Sequence, residues 1–315
     1  MTEKGEPGNW KLNTAVAFLI FNRPDTTEKV FAEIAKARPP KLFVVADGPR
    51  DDRPGESRKC ASTRAIIERV DWDCEVRKNF SERNLGCKNR VASGLDWVFD
   101  NVEAAIVLED DCVPTQSFFR YCQELLERYR SDTRVMQICG FNRMGKIENY
   151  PYSYYFSKYG PVWGWASWQR AWRHNDVHME TWTTVKKDKA HHFFCNDRKE
   201  IDWRLSLYDR LYRGEIDTWD YQWGFAKLIN SGLSIIPKYN LIRNIGFRED
   251  ATHTKHGEAS LLHMNTHDIG FPLMHPSYVL RNVDEDRRYL NSVSPSSISR
   301  LYKIPKILLD ILPKK

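Results

Sequence analysis

The 315-residue sequence predicts an α/β fold, a mostly parallel sheet flanked by helices and followed by an irregular C-terminal half. Three observations carry this. From residue 14 to about 130, short apolar runs alternate with helix-spaced segments, the pattern of strand–helix–strand units. Nearly every apolar run ends in polar or turn-forming residues. No internal repeat is visible and no stretch of about 18 apolar residues occurs, so no spanning helix is expected.

TAVAFLIFN (14–22) is a strand entering a polar turn, and TTEKVFAEIAKA (26–37) has helical spacing. KLFVVADGP (41–49) repeats the strand and turn, and ESRKCASTRAIIERV (56–70) is helical. CEVRKNF (74–80) is strand-like, NRVASGLDWVFDN (89–101) helical, and AAIVLEDD (104–111) closes the series. SFFRYCQELLERYR (117–130) reads as a helix with Ser117 as N-cap. In such sheets ligands bind beyond the C-terminal strand ends. The groups Asn22–Arg23, Asp47–Gly48, Asn84–Gly86 and Glu109–Asp111 are therefore expected on one edge.

The second half is less regular. VMQICGF (135–141) is strand-like, and SYYFSKYGPVWGWASWQRAW (153–172) reads as an aromatic loop running into a helix. Residues 201–214 and 221–232 are helical in pattern, and 233–247 extended. From about 250 the chain is polar and His-bearing. The end, SRLYKIPKILLDILPKK (299–315), is basic and amphipathic: a packed terminal helix, or a surface contact for anionic lipid.

Composition narrows the function. A net charge of +6 falls short of a nucleic-acid-binding profile but suits an anionic ligand. Seven cysteines without C-x-x-C spacing argue for reduced thiols rather than a zinc site. MTEKGEPGNWKLNT has no apolar signal core, so a cytoplasmic location is expected. Five of the 11 tryptophans (163, 165, 168, 172, 182) lie within twenty residues, where they either fill a core or stack on sugar rings.

The run AAIVLEDDCVP (104–114) drives five apolar residues into Glu109, Asp110 and Asp111. It reads as a solvated turn, a proton-sharing pair, a divalent-cation site or a Walker-B strand. The last lacks an upstream G-x-x-x-x-G-K-[ST]. The cation reading is favoured, because Mg²⁺ or Mn²⁺ takes few protein carboxylates and completes its shell with water and phosphate oxygens.

FLIFNRPD (18–25), VVADGP (44–49), NLG (84–86) and VLEDDCVP (107–114) resemble the nucleotide-sugar-binding half of GT-A glycosyltransferases. The likeness is nearest to the N-acetylglucosaminyltransferase I type, and bacterial glycosyltransferase family 2-like enzymes share the plan. It covers roughly residues 14–255. It implies a GT-A, Rossmann-like fold: 1–135 binding the nucleotide-sugar, 136–260 holding the acceptor and the catalytic group, and 261–315 as an extension. The implied activity is metal-dependent, inverting transfer of a hexosyl or N-acetylhexosaminyl unit in polysaccharide biosynthesis. The donor would be a UDP-sugar and the acceptor a glycan or lipid-linked saccharide, with peripheral contact to the inner membrane face through 299–315.

By position, the resemblance assigns Asp47 to the uracil N3–H and Arg23 to the base or phosphate. Asn84 and Gly86 would shape the loop under the nucleotide, with Lys88 and Arg90 near the diphosphate. Glu109 and Asp110 would meet sugar and ribose, and Asp111 would bind Mn²⁺ or Mg²⁺. The Trp219-Asp220 pair makes Asp220 the base that takes the acceptor's proton, helped by the partial desolvation its aromatic neighbours give. Asp217 is the alternative base, and an N-cap is the structural reading of Asp220. His253 would join the metal or the diphosphate and Arg248 face phosphate. Trp163, Trp165 and Trp219 would face the acceptor. A sugar-1-phosphate nucleotidyltransferase would need a Gly-rich basic loop where FNRPDTT stands, and a non-catalytic glycan-binding protein has no use for the acidic run.

Overall fold

The computed structural model describes residues 10–195, 197–246, 261 and 264–293. The first half alternates as its periodicity dictates: β1 (Ala15–Ile20), α1 (Pro24–Ala37), β2 (Lys41–Ala46), α2 (Glu56–Ala65), β3 (Glu75–Phe80), α3 (Gly86–Asn101), β4 (Ala104–Glu109), β5 (Cys112–Pro114) and α4 (Gln116–Arg128). Then come β6 (Val135–Cys139), β7 (Tyr154–Ser157), β8 (Trp165–Trp168), α5 (Gln169–Trp172), α6 (Trp182–Lys187), α7 (His191–Phe194), α8 (Arg198–Tyr212) and α9 (Asp220–Ile229). β9 (Leu233–Pro237), β10 (Ile242–Asn244) and α10 (Val283–Ser292) follow.

Eight strands form one sheet in the order β3-β2-β1-β4-β8-β6-β9-β7, and β10 pairs with β5 in a second. The β3-β2-β1-β4 half is parallel throughout, so helices cover both faces and its strands carry apolar side chains in both directions. Along β1, Val16, Phe18 and Ile20 enter the core under α1 and α4, while Ala15, Ala17 and Leu19 enter the core under α3. Burial of one such Val, Leu or Phe side chain contributes about 1.5–3 kcal/mol. Pro24 opens α1, where its fixed φ suits the first turn and its missing N–H costs nothing. All seven cysteines are free thiols.

The second half departs from expectation. Residues 153–172 are not one aromatic loop but two strands and a helical turn. β8 lies antiparallel between β4 and β6, pairing Ala104 with Trp168 and Val107 with Trp165. Its alternation was masked because both faces are buried: Trp165 joins one core, Ala166 and Trp168 the other. Only β6 and β9 run parallel in this half. Ser117 is inside α4 rather than its cap. Thr115 occupies the cap position, and the Ser117 hydroxyl accepts the Ile269 N–H at 3.1 Å.

Candidate active site

The C-terminal ends of β1, β2 and β4 open into a cleft of about 550 Å³, within the range of small-molecule sites. Arg23, Asp47, Asn84, Gly86, Arg90, Glu109, Asp110, Asp111, Trp163, Trp219 and Asp220 line it. The expected gathering on one edge is therefore present. A larger groove of about 1100 Å³ lies at the opposite end, where β1 and β4 begin, and contains none of these residues.

The three carboxylates find their positive partner in Arg23. Its Nη1 is 3.0 Å from Asp111 Oδ2 and 4.0 Å from Asp110 Oδ1, and Asp110 Oδ2 accepts the Phe21 N–H at 3.1 Å. Burial pushes the Glu109 and Asp110 carboxyls well above the ordinary range, and the charge of Asp111 adds to this. Asp220 is close enough to Glu109 to contribute. β10 brings the backbone against Asp111: Ile245 N–H donates to its carbonyl at 2.8 Å, and a Cβ on Gly246 would fall 1.9 Å from Oδ2. Arg248 and His253 lie outside the described residues.

Asp47 is a clasp. Its Oδ1 accepts Gly48 and Leu85 N–H at 2.9 Å each, and its Oδ2 accepts Asn84 Nδ2 at 3.1 Å and Gly86 N–H at 3.2 Å. Four donors fill the lone pairs of a carboxylate. Its burial raises the carboxyl above its ordinary value in spite of them. Arg90 is a buried strut, with Nε on the Ala46 carbonyl and Nη2 on Asn79. Lys88 contributes its backbone N–H, and its side chain does not line the cleft.

Asp217 and Asp220, which the sequence left as alternatives, both line the cleft. Asp217 accepts the Cys87 and Lys88 N–H groups at 3.1 and 3.0 Å, capping α3 and tying the two halves together. Asp220 is the first residue of α9, one past the N-cap Trp219. It lines the cleft and accepts a hydrogen bond from the Thr218 hydroxyl. Trp165 is fully buried and stacks with Trp219 at 5.8 Å, against Trp172 and Trp223. Trp165 is core and shows no face to the cleft. Trp219 is 3 % exposed, at the cleft's edge, and Trp163 is half-buried there beside Phe141.

Two arrangements went unread in the sequence. Arg50 lines the cleft, chelated by Glu56, which also accepts Asn22 Nδ2 at 2.8 Å. At the far end Lys158 and Arg204 share Glu200. The signal for Arg204 was present: it stands in the apolar stripe Ile201, Leu207, Tyr208, Leu211 of a helix.

No protein-family model matches this chain, and no curated protein matches it. Among solved structures it is similar to the mannosyltransferase PcManGT from Pyrobaculum calidifontis in complex with GDP-Man and Mn²⁺. Identity is 13 %, over 50 % of this chain and 45 % of that one, with a TM-score of 0.35. It is also similar to S. aureus TarS 1–349, at 10 % identity over 50 % and 47 %, with a TM-score of 0.34. This chain spans less than half the length of either. Likenesses this slight carry no conclusion about chemistry.

Proposed function

We propose that this protein is a GT-A glycosyltransferase moving a hexosyl or N-acetylhexosaminyl unit from a UDP-sugar to a glycan or lipid-linked saccharide, with inversion. The supporting observation is one juxtaposition: Glu109, Asp110 and Asp111 at the end of β4 share a cleft with Arg23 and with Asp220 from α9. Asp220 takes the proton of the acceptor hydroxyl as its oxygen attacks the anomeric carbon. The bond to the diphosphate oxygen breaks, and its electron pair leaves with the diphosphate. The loop at Asn84 and Gly86, held by Asp47, supports the nucleotide, and Arg23 faces its phosphates. Trp163 offers the acceptor an apolar face.

Four carboxylates (Glu109, Asp110, Asp111 and Asp220) outnumber the one guanidinium in ion-pair contact among the described residues, an excess of negative charge that suits a divalent cation. No three ligating side chains converge among the described residues. Asp111 would therefore hold Mn²⁺ or Mg²⁺ together with water and the donor's own oxygens. Bound there, the ion would offset the charge of the departing diphosphate. Arg248 and His253 stay assigned to phosphate and metal.

Titration calorimetry of UDP with and without Mn²⁺, on wild type and Asp111→Ala, tests the reading. Mn²⁺-dependent binding that the substitution abolishes is expected. Absence of UDP binding, or binding indifferent to both changes, overturns it. NMR of the product's anomeric centre tests inversion. Retention of the donor's configuration would refute that part alone.

A further inference from the structure

The end of the cleft away from the strand edge is built from cations. Lys158, in the segment after β7, and Arg204, on α8, are 6 % and 5 % exposed, and both line the cavity. One carboxylate lies between them: Glu200 Oε1 is 2.8 Å from Arg204 Nε, and its Oε2 is 3.3 Å from Lys158 Nζ. Glu200 also accepts the Tyr159 hydroxyl at 2.9 Å. The neighbouring Asp286 is shared, since Arg281 stands 3.7 Å from it, Ser157 donates to it and the Lys158 charge and N–H also reach it, but neither Asp286 nor Glu200 lines the cavity as the cations do. Arg143 lines the same end, held by the hydroxyl and carbonyl of Ser292. Burying charge is costly unless it is compensated. A cleft wall with positive charge in excess is suited to an anion from outside.

Arg204 is also set for directional contact. Its Nη1 donates to Tyr208 at 2.6 Å, and the rings of Trp203, Tyr159 and Tyr208 lie 5.0–5.8 Å from the guanidinium. Its Nη2 makes no hydrogen bond among the described residues. A held guanidinium edge recognises planar or tetrahedral oxyanions better than a mobile ammonium does. Tyr159 and Tyr289, stacked at 5.0 Å, both border the cavity beside it.

We propose that this end of the cleft binds a carboxylate or phosphate group carried by the acceptor, so that the acceptor is an acidic saccharide. The proposal rests on the transferase reading above.

Tryptophan fluorescence titrations of the full chain with methyl β-glucuronide, glucose 6-phosphate and neutral methyl β-glucoside test it. At least one acid is expected to bind roughly tenfold or more tighter than the neutral sugar, and which acid does so separates carboxylate from phosphate. Arg204→Gln removes that preference. Glu200→Gln, which enlarges the positive excess, strengthens acid binding. Equal binding of acids and neutral sugar, a preference that survives Arg204→Gln, or weaker acid binding in Glu200→Gln overturns the proposal. If Arg204→Gln does not fold, Glu200→Gln still decides. UDP calorimetry on the same samples keeps the two readings apart. Intact UDP binding without acid preference sinks the acidic acceptor alone. Acid preference without UDP binding sinks the transferase reading, and the acceptor role with it.

Discussion

At the strand edge Asp110 and Asp111 hold the guanidinium of Arg23, with Glu109 within reach of its charge; at the other end of the same cleft two cations, Lys158 and Arg204, share the carboxylate of Glu200. The first cluster is contiguous in sequence and sits where a buried strand stops, so its charges are forced together by the sheet. The second is assembled from a loop and a helix that meet only in the folded chain. A cleft negative at one end and positive at the other orients a polar ligand pair along its length. On the proposed reading, the excess charge at each end selects what is brought there: a cation with its nucleotide at one, an anion at the other.

The charge of Asp220 reaches both Glu109 and Tyr289, and its replacement gives the sharpest test of the division. Asp220→Asn keeps shape and removes the proposed base, so turnover is expected to fall by about 10²- to 10⁴-fold. UDP affinity, measured by calorimetry, should stay within about twofold, a few tenths of a kcal/mol. Equal losses in turnover and UDP affinity would assign Asp220 to the nucleotide end instead and erase the distinction.

The strand-edge end was legible because its elements are local. Strands buried on both faces read as unbroken apolar runs, and each stops at the polar residue that lines the cleft, as β2 stops at Asp47 and β4 at Glu109. What could not be read is which partner each polar atom takes. Asp47 looks like a ligand-facing turn residue, yet its lone pairs go to the loop at 84–86. Trp165 looks like a stacking surface because Gly160 and Gly164 precede it, yet it is strand core. Lys158 carries no local signal at all. Its meaning depends on Glu200, on a helix far along the chain.

Another buried cation lies in the C-terminal half. Lys227 on α9 donates to Gln137 and Ser234 and has no carboxylate partner among the described residues. Burial lowers its ammonium from the ordinary 10.5 to about 8. The unfolded chain thus keeps this proton up to 10.5 while the folded chain releases it near 8. In that window the unfolded state binds more protons, so stability rises with pH. The rise is about 3 kcal/mol for one such group. Urea denaturation across the window should show it in wild type, and Lys227→Met should remove it. Parallel pH profiles for the two proteins would mean that Lys227 is not held as an unpaired ammonium, unlike the cations facing the cleft.

The smallest expected effect probes the seam between the ends. Gly86 opens α3 with φ +79°, and a Cβ there would sit 2.9 Å from Asp217 Oδ2. Gly55 has a similar φ of +81° but nothing within 4 Å. Gly55→Ala therefore measures the backbone term alone, about 1 kcal/mol. Gly86→Ala adds displacement of the carboxylate that caps α3, for a total of about 2 kcal/mol. Urea denaturation of both variants gives the difference. In Asp217→Ala the cap is already gone, so adding Gly86→Ala should cost no more than Gly55→Ala does. If Gly86→Ala costs the same with and without Asp217, the two halves are not joined through this contact. The loop at 84–86 would then hold its shape without help from the half that carries Asp220.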